Sequence, residues 1–146
     1  MARGPIMPLT LSALHIYPVK GLKGISLESA RATDRGLEHD RRWMVVDRDG
    51  TFISQRSHPK MATVWTEIEG GNIVLSAPDV DSVELPLDID EKGGLSATVW
   101  SSTVKAVPGP DAANRCLALQ NLGYELDAQG KKVESAERYL AWIADD

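Results

Sequence analysis

Residues 17–24 read YPVKGLKG, with two lysines set among two glycines and a proline directly after an apolar run. Glycine permits positive φ and close backbone approach, and exposed amides beside lysines form a concavity that suits an anion. Two further basic pieces lie downstream. Residues 39–43 (HDRRW) place Arg41 and Arg42 immediately before an apolar run, and residues 54–61 (SQRSHPKM) carry Arg56. Guanidinium and ammonium groups brought together beside such a loop would hold a small oxyanion such as a phosphate. Adjacent side chains on a strand point to opposite faces, so only one of Arg41 and Arg42 is expected to aim at a common site. Each piece alone also reads as ordinary surface: a turn at 17–24, and an exposed pair of Asp40 with an arginine worth about 0–1 kcal/mol.

The charge distribution favours the first reading. Residues 20–60 hold nine basic and six acidic groups, a net of +3, whereas residues 61–146 hold six basic and fifteen acidic groups, a net of −9. The whole chain is acidic, with a formal net charge of −5. That balance argues against general nucleic-acid affinity, which needs a broad basic face. Cys116 is the one cysteine, so an internal disulfide and a cysteine-based zinc cluster are excluded. Set among Ala112, Ala113, Leu117 and Leu119, it reads as a small apolar core group. His15, His39 and His58 lack metal-ligand spacing, so no metal site is expected within the chain. No apolar run approaches the ~18 residues of a membrane span, and the N-terminus has no signal-peptide core. A cytoplasmic protein without a membrane or nucleic-acid partner is expected.

The elements that must position these residues read mostly as strands. Leu9, Leu11 and Ala13, then Leu14 and Ile16, suggest a first strand with a change of face, and residues 26–33 a second. Residues 43–47 and 51–55 flank Asp49-Gly50, a strong hairpin signal that puts Trp43, Val45, Phe52 and Ile53 in or beside it. Residues 63–70 and 72–77 bracket Gly70-Gly71 in the same way, and residues 82–87 and 95–107 add further strands. After Pro110, Asp111 is a credible N-cap and Gly123 a stop for one helix, and Val133, Ala136, Leu140 and Ile143 have the spacing of another. The expected fold is mainly β, an antiparallel β-barrel with two C-terminal helices.

With these elements in place, residues 15–64 resemble the N-terminal β-barrel domain of proteins carrying a molybdenum cofactor sulfurase C-terminal (MOSC) domain. The loop, DRRW, DRDG and QRSHPKM occur in that family's order and spacing. The family includes bacterial molybdenum-dependent reductases of N-hydroxylated compounds and the mitochondrial amidoxime-reducing component. The resemblance divides the chain into an extension over 1–8, a barrel domain over 9–108 and a helical segment over 109–146, with a tail unlike the family from about residue 124.

The resemblance implies that the lysine loop and the first arginine of the DRxW-like motif contact the phosphate of the pterin molybdenum cofactor. These positions are Lys20, Gly21 and Arg41 here, and Arg56 matches a basic position of the QR segment. The family often carries serine where this chain has Gly21, so one hydroxyl donor is missing. In the family the metal is held by a cysteine of the second domain, which implies a MOSC domain in cis or in trans and an electron-transfer protein as partners. The full-length family is oxidoreductase or sulfurtransferase-like, and this chain is expected not to catalyse alone. The competing expectation is a non-catalytic, stand-alone barrel that serves as a protein-interaction module.

Overall fold

A computed structural model describes residues 8–47, 49–78, 80–87, 89, 95–109 and 139–143. Its strands run in the order β1 (His15–Ile16), β2 (Val19–Lys20), β3 (Ile25–Ser26), β4 (Ala32–Thr33), β5 (Gly36–Leu37), β6 (Trp43–Val46), β7 (Trp65–Glu69), β8 (Asn72–Ala77), β9 (Val80–Pro86), β10 (Leu95–Val99), β11 (Ser102–Pro108) and β12 (Tyr139–Ile143). A 3₁₀ turn, Pro59–Thr63, lies between β6 and β7.

All residues of β6 are fully buried because its two faces serve different clusters. Trp43 and Val45 pack with Val19, Val107, Ile73, Leu75 and Leu85, while Met44 and Val46 pack with Ala97 and Ala106. A strand covered on both sides is written as a continuous apolar run, as Trp-Met-Val-Val is. The sheet around it has the order β10-β11-β12-β6-β2, antiparallel except for the β2–β6 pair. The meander β7-β8-β9 forms a second, antiparallel sheet, and β1–β3 and β4–β5 are two-stranded ribbons.

Several expectations are corrected. No sheet among the described residues closes on itself. The meander bonds only within itself and meets the larger sheet through side chains, so the closed barrel gives way to two packed sheets. The expected second helix is, over Tyr139–Ile143, a strand filling the gap between β11 and β6. A continuous apolar segment rich in aromatic and branched residues suits a buried strand as well as a helix, and two open strand edges decide the matter. The expected helix over 111–123, with Cys116, lies outside the described residues. Alternation at Leu9 and Leu11 does not make a strand, and both side chains are exposed. The expected strand over 26–33 is split between β3 and β4. The segment 95–107 folds back on itself as the β10–β11 hairpin.

Both glycine-marked hairpins form as expected. Gly70 and Gly71 have φ of 56° and 85°, the double positive φ of a type I′ turn joining β7 to β8. At the other, the Gly50 amide donates to the Asp47 carbonyl, and Val46 bridges Phe52.

The edges of β6 determine what meets beside them. β12 takes one edge along its whole length, from Tyr139 opposite Val46 to Trp142 opposite Trp43. The other edge is therefore shared end to end: β2 pairs with Trp43 and Met44, and the segment 52–53 pairs with Val46 and Val45. This places the end of β2, the turn before β6 and the chain after Phe52 side by side.

Candidate anion-binding site

Lys20, Gly21, Arg41 and Arg56 line one open pocket of about 390 Å³, together with Tyr17, Phe52, Gln55 and Trp100. The shared edge of β6 explains the convergence. Lys20 ends β2, and its Nζ stands 3.9 Å from the centroid of the Phe52 ring. Phe52 in turn meets Trp100 edge to face at 4.9 Å, and the Arg56 guanidinium lies 5.5 Å from the Trp100 ring. Arg41 is tied in by its amide, which donates to the Tyr17 carbonyl at 2.8 Å, and its guanidinium lies 5.3 Å from the Tyr17 ring.

Arg41 is not on the strand. It sits in the turn before β6 with φ of 52°, a left-handed conformation that non-glycine residues adopt uncommonly. Asp40 holds it there, accepting from the Tyr17 amide at 2.7 Å through Oδ1 and from the Arg41 guanidinium through Oδ2. The two arginines do separate, by this turn rather than by strand alternation. Only Arg41 reaches the Lys20 pocket; Arg42 is absent from its lining and lines a neighbouring hollow with His39 and Arg35, which Arg41 also borders.

The loop supplies less backbone than its glycines suggest. The Leu22 amide donates to the Val19 carbonyl and the Lys23 amide to the Val64 carbonyl, so neither is available to a ligand. The Gly21 carbonyl accepts from Gln55 Nε2 at 2.8 Å. Gly21 has φ of 87°, and a Cβ there would stand 2.8 Å from Cε of the buried Met61. This backbone favours glycine over the serine of the resemblance. The positive character of the pocket therefore comes from side chains.

Lys20 is half-buried, and burial first, then the charge of Arg41, lowers its pKa below the ordinary 10.5. Asp40 pairs with Arg41, but no carboxylate lies within ion-pair distance of Lys20 or Arg56 among the described residues. Clustered cations with one counter-charge favour an incoming anion, and the oxygens of a phosphate-like group can accept from the ammonium and guanidinium donors that line the pocket. Among the described residues no cluster of His, Cys, Asp or Glu could hold a metal ion, and no helix is long and apolar enough to cross a membrane.

The pH dependence follows in sign. Only the charged lysine attracts an anion, so the Lys20 contribution, read against a Lys20→Arg reference that shares the ligand's own ionisation, is expected to be lost as pH rises through the lowered Lys20 pKa, beginning below 10.5. Lys20→Arg, whose charge persists above about pH 12, is expected to flatten the profile. Phosphate titration by calorimetry between about pH 7 and 10 checks this, and equal slopes for both proteins would remove Lys20 from the site.

Gln55, Phe52, Trp100 and Tyr17 were not legible as site residues. They carry no charge, and the two available signals were that Gln55 neighbours Arg56 and that Tyr17 stands at the head of the lysine loop.

The family described as MOSC N-terminal beta barrel domain matches residues 8–123. Mitochondrial amidoxime reducing component 2 of Rattus norvegicus is 37% identical over 84 residues, covering 55% of this chain and 25% of that protein. Mitochondrial amidoxime-reducing component 1 of Danio rerio is 30% identical over 99 residues, covering 65% of this chain and 30% of that protein. The similarity thus spans about a quarter to a third of these relatives' length. The solution structure of a protein coded by a Bordetella bronchiseptica gene locus superposes with a TM-score of 0.55 over 81% of this chain and 90% of that one, at 19% identity, which indicates a shared fold.

Proposed function

Because the chain belongs to the MOSC N-terminal beta barrel domain family, we propose that it holds the phosphate of a pterin molybdenum cofactor and forms part of the wall around the substrate entrance. Lys20 and Arg41 supply the principal contacts, Arg56 a further cation, and Gly21 the close backbone approach. The observation that carries this reading is the meeting of all four residues in one pocket, with three cations and one carboxylate partner. The aromatic rings of Phe52 and Trp100 line the same pocket and offer flat surfaces to the ring portion of such a ligand.

The relatives' names describe amidoxime reduction. By extension, the whole protein's reaction is reduction of N-hydroxylated compounds, with redox chemistry supplied by the bound cofactor. The metal is held by a MOSC domain supplied in cis or in trans, electrons come from a separate transfer protein, and the setting is cytoplasmic. Residues of this chain bind and orient the ligand and do not catalyse alone.

Titration of a pterin phosphate, or of inorganic phosphate as the minimal probe, tests the reading. Each charge-assisted bond is worth about 1.5–3 kcal/mol, so Lys20→Ala and Arg41→Ala are each expected to weaken binding about tenfold or more. Arg42→Ala, outside the pocket, is expected to change it little. Equal small effects for all three would reduce the loop to an ordinary turn and leave the interaction-module reading.

A further inference from the structure

Lys20 is the one half-buried lysine among the described lysines; Lys23, Lys60 and Lys105 are exposed. Its amine rests on Phe52 and shares a pocket with Arg41 and Arg56. We propose that Lys20 is a carbonyl-trapping lysine, condensing with small phosphate-bearing aldehydes while Arg41 and Arg56 hold the phosphate. This rests on the oxyanion reading above and adds a covalent step to it.

The chemistry needs a neutral amine, an anchored partner and room. A lysine partly withdrawn from water beside another cation keeps a larger neutral fraction than a solvated one, and the direction of the Lys20 shift agrees. The titratable or charged groups facing it in the pocket are Arg41, Arg56 and Tyr17. No carboxylate there competes for the ammonium form among the described residues. The volume of about 390 Å³ is that of a small-molecule site. The Nζ lone pair adds to the carbonyl carbon, and the resulting carbinolamine loses one water to give an imine. No electrons are gained or lost, so no oxidant or reductant is required. An imine at this position would occupy the place of the ligand phosphate, so such aldehydes would act as covalent inhibitors of ligand binding.

Pyridoxal 5′-phosphate is a suitable probe, with phosphate-free pyridoxal as the control. The chain is incubated with each, the imine is fixed with borohydride, and the modified lysines are located by peptide mass mapping. Pyridoxal 5′-phosphate is expected to label Lys20 at least about tenfold more than Lys23, Lys60 or Lys105, and about tenfold more than pyridoxal does, the ratio one lost phosphate contact gives. Inorganic phosphate should suppress the label, and Arg56→Gln should lower it toward the pyridoxal level. Even labelling across the lysines, or equal labelling by the two aldehydes, overturns the proposal. If inorganic phosphate binds in the titration but Lys20 is not preferred, the covalent step alone fails. If phosphate does not bind and labelling is even, the oxyanion reading fails with it.

Discussion

Replacing Trp43 by alanine is expected to remove about 3–5 kcal/mol of stability, the range for truncating a large buried aromatic side chain. Trp43 is 0% exposed and occupies the face of β6 that meets the second sheet. Its amide also donates to the Pro18 carbonyl at 3.0 Å, and it pairs with Val19 across the parallel register. Domains of this kind carry about 5–15 kcal/mol in total, so the loss takes a large part of the margin. Urea unfolding reads the effect as a lowered midpoint. Trp43→Phe refills much of the volume and should lose less. Arg41 and Lys20 are aligned by the same edge of β6, so phosphate affinity should fall with the folded fraction. Lys20→Ala, by contrast, should lower affinity with little change of midpoint. A midpoint shift for Trp43→Ala no larger than that of Trp43→Phe would show that the packing between the sheets does not depend on this side chain.

What could be read in the sequence was what local chemistry dictates. Gly70-Gly71 and Asp49-Gly50 announce their turns because the backbone there needs positive φ, and Trp43–Val46 announces a buried strand by its unbroken apolar run. The turn at Trp100 and Ser101 carries no such mark. Trp100 has φ of 56° without being glycine, and its contact with Phe52 accompanies that conformation. No local rule reports a conformation that tertiary packing supports. Tyr139–Ile143 shows the same limit, since its pattern suits a helix or a strand until neighbouring edges are known. At the site, Lys20, Gly21, Arg41 and Arg56 were legible as charges and glycine beside turns. The aromatic wall and the Gln55 bond to the Gly21 carbonyl depend on which segments share the edge of β6, which no spacing along the chain reveals.

Gly50→Val is expected to cost about 2–5 kcal/mol, and the comparison with Gly70→Val separates its causes. Gly50 has φ of 78°, and a Cβ there would stand 2.8 Å from the Ser96 carbonyl oxygen, which is backbone and cannot swing aside. Gly70 has φ of 56° and nothing within 4 Å of the same atom. Both variants incur the left-handed penalty of about 1–2 kcal/mol, heavier for a branched side chain. Only the first must also push the turn away from β10. That movement threatens two bonds, from the Thr98 amide to the Gly50 carbonyl at 2.8 Å and from the Phe52 amide to the Thr98 carbonyl at 2.9 Å, worth about 0.5–1.5 kcal/mol each. Asp47 Oδ1, which accepts from the Asp49 and Thr51 amides, can preserve the turn itself but not its docking. Phe52 carries Lys20 on its ring and meets Trp100, so displaced docking reaches the pocket. Gly50→Val should therefore lower the melting temperature more than Gly70→Val, by about 2–8 °C for each further kcal/mol, and weaken phosphate binding, while Gly70→Val leaves affinity unchanged. Equal losses at the two positions would mean that the backbone conformation alone sets the cost, and that the turn does not hold the aromatic wall in place.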